Sequence, residues 1–185
     1  ASGGLDRSVR LWEMSTGRLV RVLVGTTDRI KTIAWSPDGT MLAVCAGNQV
    51  ALWDALHGKR LLVLESKLPL RSMAWSPDGR RLVTGSETDA EVLVWDVDSA
   101  TVQTTLHVQP EGGAHIWGLA WLPDGGRMLI GHGDGHLDLW DIGNDKSLCS
   151  VAADAWLLVT PDATHVLTGP ARTGGDKPLL SQIGP

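Results

Sequence analysis

The side chains most able to do chemistry lie in one short run, GHGDGHLDLWD, where His132, Asp134, His136 and Asp138 alternate. Imidazole and carboxylate are metal ligands, so the run invites a metal site. The interleaved glycines mark a turn instead, and nothing elsewhere in the chain converges on it. No metal is expected. Catalytic patterns are also missing. There is no G-x-S-x-G nucleophile elbow. The nearest approach to a phosphate loop, GPARTGGDK at Gly169–Lys177, has Gly-Gly where Gly-Lys is required and reads as a flexible tail. Two cysteines, Cys45 and Cys149, form neither a disulfide framework nor a zinc pattern. Both sit in apolar, strand-like stretches and are expected to be small buried thiols in a reducing, cytoplasmic compartment, with one long-range bridge as the alternative. No cofactor and no enzymatic activity are expected.

The acidic residues that might have formed catalytic pairs recur with a fixed period instead. Trp12, Trp53, Trp95 and Trp140 each precede an acid, at spacings of 41, 42 and 45 residues. A second landmark keeps the same phase: WSPDG at Trp35–Gly39 and Trp75–Gly79, WLPDG at Trp121–Gly125, and a weaker VTPDA at Val159–Ala163. Two landmarks sharing one period of about 42 residues mark an internal repeat. The aromatic usage fits, with nine Trp and no Phe or Tyr. Tryptophan must occupy a repeated structural position.

Each landmark has a local physical meaning. Ser-Pro-Asp-Gly is a turn: Pro presets φ, Asp bonds its own backbone, and Gly accepts positive φ. Alternating apolar stretches flank it, IKTIAW before and TMLAVCA after, which predicts a hairpin of strands a and b. SVRLWE, QVALWD, EVLVWD and HLDLWD read as period-two strands c. A polar turn such as STGR or ALHGK then leads to a fourth strand d. Four strands per repeat, apolar on both faces, are buried only by stacking one sheet on the next.

With these motifs in place, the chain resembles the Trp-Asp repeat β-propeller family from Ala1 to about Gly169. The resemblance implies an all-β fold, a β-propeller of four-stranded antiparallel blades with incomplete first and last blades. The expected divisions are 1–29 (end of b, then c and d), 30–69, 70–114, 115–154, and a degenerate 155–185 with a C-terminal tail. Members often bury a tetrad of Trp in strand c, Ser or Thr in strand b, Asp in the b–c turn and His in the d–a loop. On that pattern Trp12 has Ser2 and Asp6, and Trp95 has Thr84 and Asp89. Trp140 keeps Asp134 but meets Ile130 where Ser belongs, and Trp53 has neither partner. The His positions hold Thr26, Ser66 and Gly112. These are structural blade residues, and their loss bears on stability.

The resemblance also implies a binding surface on the face of the d–a and b–c loops. Four residues before each WSPDG-type Trp, at the start of strand a, stand Lys31, Arg71 and Trp117. Long cations and an aromatic at one equivalent position suit a partner-binding rim, since Arg and Trp are enriched at hot spots; the competing reading is that exposed strand ends favour such residues. Thr27, Asp28, Arg29, Lys67, Leu68, Glu87, Thr88 and His115 border the same face, and each alone reads as a solvated loop residue. A net charge of −5 gives no electrostatic footprint for nucleic acid. No apolar run reaches the ~20 residues of a membrane span. The expected role is a non-catalytic scaffold for a protein or peptide, with self-association as one way to complete the ring. The alternatives are a regulatory or sensor segment of a larger multidomain bacterial protein (a kinase or NTPase) and, remotely, a propeller-based hydrolase. The bacterial assignment rests on the Trp bias and the many Gly, Ala and Arg residues.

Overall fold

A computed structural model describes residues 1–108 and 115–152, with the backbone of strands at 156–159, 165–169 and 179–182. Gly112, most of the VTPDA turn and residues 170–177 lie outside the described residues. Among those described, all regular structure is β, in five antiparallel sheets. The first holds β1 (Ser2–Gly3), β2 (Ser8–Glu13) and β3 (Arg18–Val24). The second holds β4 (Ile30–Trp35), β5 (Met41–Ala46), β6 (Gln49–Asp54) and β7 (Lys59–Glu65). The third runs β8 (Leu70–Trp75), β9 (Arg81–Ser86), β10 (Glu91–Asp96) and β11 (Thr101–His107). The fourth runs β12 (Ile116–Trp121), β13 (Arg127–His132), β14 (His136–Asp141) and β15 (Lys146–Ala152). The fifth holds β16 (Trp156–Val159), β17 (His165–Gly169) and β18 (Leu179–Gln182). Strands follow one another in chain order within every sheet, and β4, β8, β12 and β16 lie side by side. The sheets are propeller blades, and in the second to fifth the first strand is innermost.

The turns form as their residues dictate. Ser36 Oγ donates to Asp38 at 2.6 Å and accepts from the Met41 N–H at 2.9 Å, while Asp38 takes the Thr40 N–H. Ser76 and Asp78 repeat the arrangement with Arg81 and Arg80. Gly39, Gly79 and Gly125 close these turns at φ near +70°, where a side chain is strained. The WLPDG copy replaces Ser with the buried Leu122, and Asp124 alone gathers the N–H groups of Gly126 and Arg127.

Strand alternation decides which blade each side chain meets. Val50 and Leu52 of β6 pack forward with Leu70, Trp75 and Leu82 of the third blade. Ala51 and Trp53 pack backward with Val9, Leu11 and Leu23 of the first. The third and fourth blades join through Val92 and Val94 with Ile116, Leu119 and Trp121. Trp53, Trp95 and Trp140 are thereby buried. Trp12 holds the same place but faces away from the second blade, and it is 41% exposed. Trp35 is 43% exposed although Trp75 and Trp121 are buried, since the first blade lacks an innermost strand to cover it.

Two close approaches between blades are made where a glycine faces an isoleucine. A Cβ on Gly3 would sit 2.5 Å from Ile30 Cγ2, and one on Gly85 would sit 2.5 Å from Ile116 Cγ2. At the same strand position in the second blade is Cys45, which shares a core with Leu70. Cys45 is buried as expected, and its thiol is pushed up to about 12 by burial. Cys149 corrects the expectation: it is exposed, on β15, the outermost strand of the fourth sheet. The two thiols are free.

Candidate binding rim

The tryptophans of strand c fare according to what strand b and the turns offer them. Trp12 Nε1 donates to Ser2 Oγ at 2.9 Å, and Trp95 Nε1 donates to Thr84 Oγ1 at 2.9 Å. Trp53 is registered against Leu42, Val44 stands at the position that Thr84 holds beside Trp95, and the buried indole N–H has no partner among the described residues. Trp140, lacking a hydroxyl at Ile130, reaches Asp145 Oδ1 at 3.3 Å instead. Asp145 occupies the turn position held by Gly17 and Gly58 and shares their positive φ. Asp6 accepts from the Ser8 N–H and Oγ and pairs with Arg10, whose hydrogen bond, ahead of Ser8's, draws its carboxyl down to about 2. The Asp89 carboxylate makes no hydrogen bond among the described residues, and its backbone N–H reaches Ser86 Oγ. Thr26 and Ser66 each form a local bond, to the Arg7 carbonyl and from the Leu68 N–H.

The alternating His/Asp run resolves into two separate pairs. His132 is buried, with Nε2 3.2 Å from the Asp138 carboxylate but out of hydrogen-bond alignment. His136 Nδ1 lies 3.2 Å from Asp134 Oδ1. Among the described residues, no group of three or more His, Cys, Asp or Glu side chains is placed to hold a metal ion.

Lys31, Arg71 and Trp117 come together on one surface, and the reason is backbone register. Ile30 pairs with Ala46 and Thr32 with Cys45, so Lys31 is the extra residue of a β-bulge. Leu70 pairs with Ser86 and Ser72 with Gly85, leaving Arg71 as the extra residue. Ile116 pairs with His132 and Gly118 with Gly131, leaving Trp117. A bulge bends its strand and re-aims the side chain of the unpaired residue. Three identical bulges on adjacent innermost strands therefore turn three side chains toward one another.

Lys31 and Arg71 meet at Glu87, in the loop between β9 and β10. Lys31 Nζ binds one carboxylate oxygen, and Arg71 Nη1 lies 3.3 Å from the other. The Arg71 guanidinium stacks over Trp117, 3.6 Å from the ring centroid. His115 Nδ1 bonds the Glu87 backbone carbonyl. The Lys31 ammonium, chiefly, holds the Glu87 carboxyl below its ordinary value of 4.5, against the opposing effect of burial. The cluster lines an open cavity of about 460 Å³ with Thr32, Ser72 and Gly118. Sequence placed Glu87 among the bordering loop residues and missed its bridging role. The other bordering residues bond locally where they bond at all: Thr27 to Gln49, Asp28 to the Arg29 N–H, and the Thr88 N–H to Ser86.

The chain resembles known repeat proteins in sequence. The family model described as WD domain, G-beta repeat matches residues 17–54, 58–96 and 102–141. The chain is 30% identical over 148 residues to the small ribosomal subunit protein RACK1y of Oryza sativa subsp. japonica, covering 76% of this chain and 43% of that protein. It is 28% identical over 153 residues to autophagy-related protein 16 of Arabidopsis thaliana, covering 82% and 29%. It is also 28% identical over 147 residues to the anaphase-promoting complex subunit cdc20 of Dictyostelium discoideum, covering 77% and 28%. The chain thus spans less than half the length of these relatives. All three are eukaryotic and lend no support to the bacterial origin expected from composition. Repeat spacing, blade topology and family match agree: the chain belongs to the WD domain, G-beta repeat family.

Proposed function

We propose that this chain is a non-catalytic interaction scaffold that docks a protein or peptide on its loop face, with Lys31, Arg71 and Trp117 as principal contacts. The observation that carries the reading is the convergence of three bulged residues from three blades beside an open cavity. Bulges cluster next to functional sites because they present a side chain without breaking the flanking ladder. The relatives whose names place them in a ribosomal subunit and in the anaphase-promoting complex support a role in assemblies. The test is affinity capture from extract of the source cells, with bound proteins identified by mass spectrometry. Lys31→Glu, Arg71→Glu and Trp117→Ala should each lose partners that wild type retains. Arg80→Glu, in the turn at the far end of β8, should retain them. Identical capture by all four variants would remove the rim assignment.

Self-association belongs to the same reading, as a second copy of the chain would bring further blades to the ring. Sedimentation equilibrium checks it: a stable dimer supports self-association, and a monomer at micromolar concentration removes it.

A further inference from the structure

The cluster at the rim has more cation than anion. Lys31 and Arg71 share a single carboxylate, that of Glu87, which leaves one positive charge uncompensated within the cluster. Arg71 carries five N–H donors and Lys31 three. Among the described residues each gives one to Glu87, and neither side chain has another acceptor. Stacking on Trp117 occupies the face of the guanidinium and leaves its in-plane N–H edge for a second oxygen partner. This edge is the fork that matches a carboxylate.

The Glu87 carboxylate is also placed to be displaced. Its backbone is held from both directions, with the N–H on the Pro69 carbonyl and the carbonyl on His115. Its side chain, 32% exposed, can swing by rotamer change alone, without moving the loop. A cationic partner is disfavoured, since among the described residues the site holds two cations to one carboxylate, with Glu87 and the Trp117 face both engaged.

Resting on the rim reading above, we propose that the partner is an acidic peptide segment whose Asp or Glu carboxylates replace Glu87 on Lys31 and Arg71, Glu87 acting as an internal competitor. The chain's overall charge of −5 opposes such a partner at long range. The attraction is therefore confined to about one Debye length, roughly 8–10 Å at physiological salt. Selectivity follows, because a weakly acidic segment fails to outcompete the tethered carboxylate.

Fluorescence anisotropy with a rhodamine-labelled hexaglutamate peptide tests this, with hexaglutamine as the neutral control. Glu87→Gln and Glu87→Ala should both tighten hexaglutamate binding, by roughly tenfold at low salt. Lys31→Gln and Arg71→Gln should weaken it at least about fivefold and flatten its salt dependence. Equal binding of hexaglutamine, or no tightening in either Glu87 variant, overturns the proposal. If the rim variants nevertheless lose their extract partners, the rim reading stands and its partner is not acidic. Unchanged extract capture sinks the rim reading and this inference together.

Discussion

Gly85→Ala probes how closely the third and fourth blades are fitted. The added Cβ would lie 2.5 Å and 2.7 Å from Ile116 Cγ2 and Cβ, and 2.6 Å from Ser72 Oγ. Each separation is about 1 Å inside the optimum for non-bonded heavy atoms, ~3.5–4.0 Å. Gly85 cannot retreat, because it is registered against Ser72 on one side and Val92 on the other. Overpacking of this kind costs about 1–3 kcal/mol, and replacing a strand glycine with alanine returns roughly 0.5–1 kcal/mol of backbone entropy. The expected net loss is about 1 kcal/mol and at most about 2.5 kcal/mol. Urea denaturation followed by tryptophan fluorescence should show a midpoint lower by roughly 0.5–1 M with unchanged slope. The second blade supplies the remedy, since Cys45 occupies the same position and shares its core with an unbranched-at-Cβ Leu70. Ile116→Leu in the Gly85→Ala background should therefore recover at least half the loss, although Ile116→Leu alone costs up to about 1.5 kcal/mol. Because Ile116 adjoins Trp117, rim binding should fall in the single variant and return in the double. A midpoint unchanged in Gly85→Ala, or losses that simply add in the double variant, would refute the close-fit argument.

Three further outcomes are expected. Thr84→Val strips the acceptor from a buried indole N–H and should cost about 1–3 kcal/mol, while Ser2→Ala, removing the same bond at an exposed site, should stay within about 0.5 kcal/mol; paired urea titrations compare them. The Glu87 carboxyl is held low by Lys31, so its contribution to stability is fully present above pH 4.5 and is lost as pH falls through its folded value. The stability gap between wild type and Glu87→Gln should accordingly narrow in acid, and a gap independent of pH would contradict the pairing. A disulfide-exchange reagent should titrate one thiol rapidly, at the exposed Cys149, and reach Cys45 only on unfolding; two fast thiols would contradict the burial of Cys45.

Much of this was legible before any coordinates. The WSPDG turns and the period-two strands carry local chemistry that repeats, so blade number and strand order followed from them. That Lys31, Arg71 and Trp117 share one surface followed from equivalence alone, each being the fourth residue before a landmark. What stayed hidden depends on register and on partners far apart in the chain. Nothing in IKTIAW, LRSMAW or IWGLAW shows that the second residue is unpaired, because a bulge is a property of two strands together. Glu87 looked like any loop acid, since its meaning comes from Lys31, 56 residues away. Asp145 could not be matched to Trp140 by the repeat, because the equivalent residues are Gly17, Gly58 and Ala100. Cys149 was misplaced because an apolar sequence does not reveal whether its strand is inner or outer.

The three inner-strand bulges separate the proposed recognition residues from the ladder that holds the blades together. An unpaired residue contributes nothing to the ladder, so its identity can vary with little penalty to folding. On the proposed function, positions 31, 71 and 117 would behave as interchangeable letters set in a fixed frame, with position 87 modifying how they are read. A library randomised at these four sites should keep most of its members folded while spreading widely in specificity. On this view repeated blades give an evolving lineage a standing supply of recognition surfaces without a search for new folds.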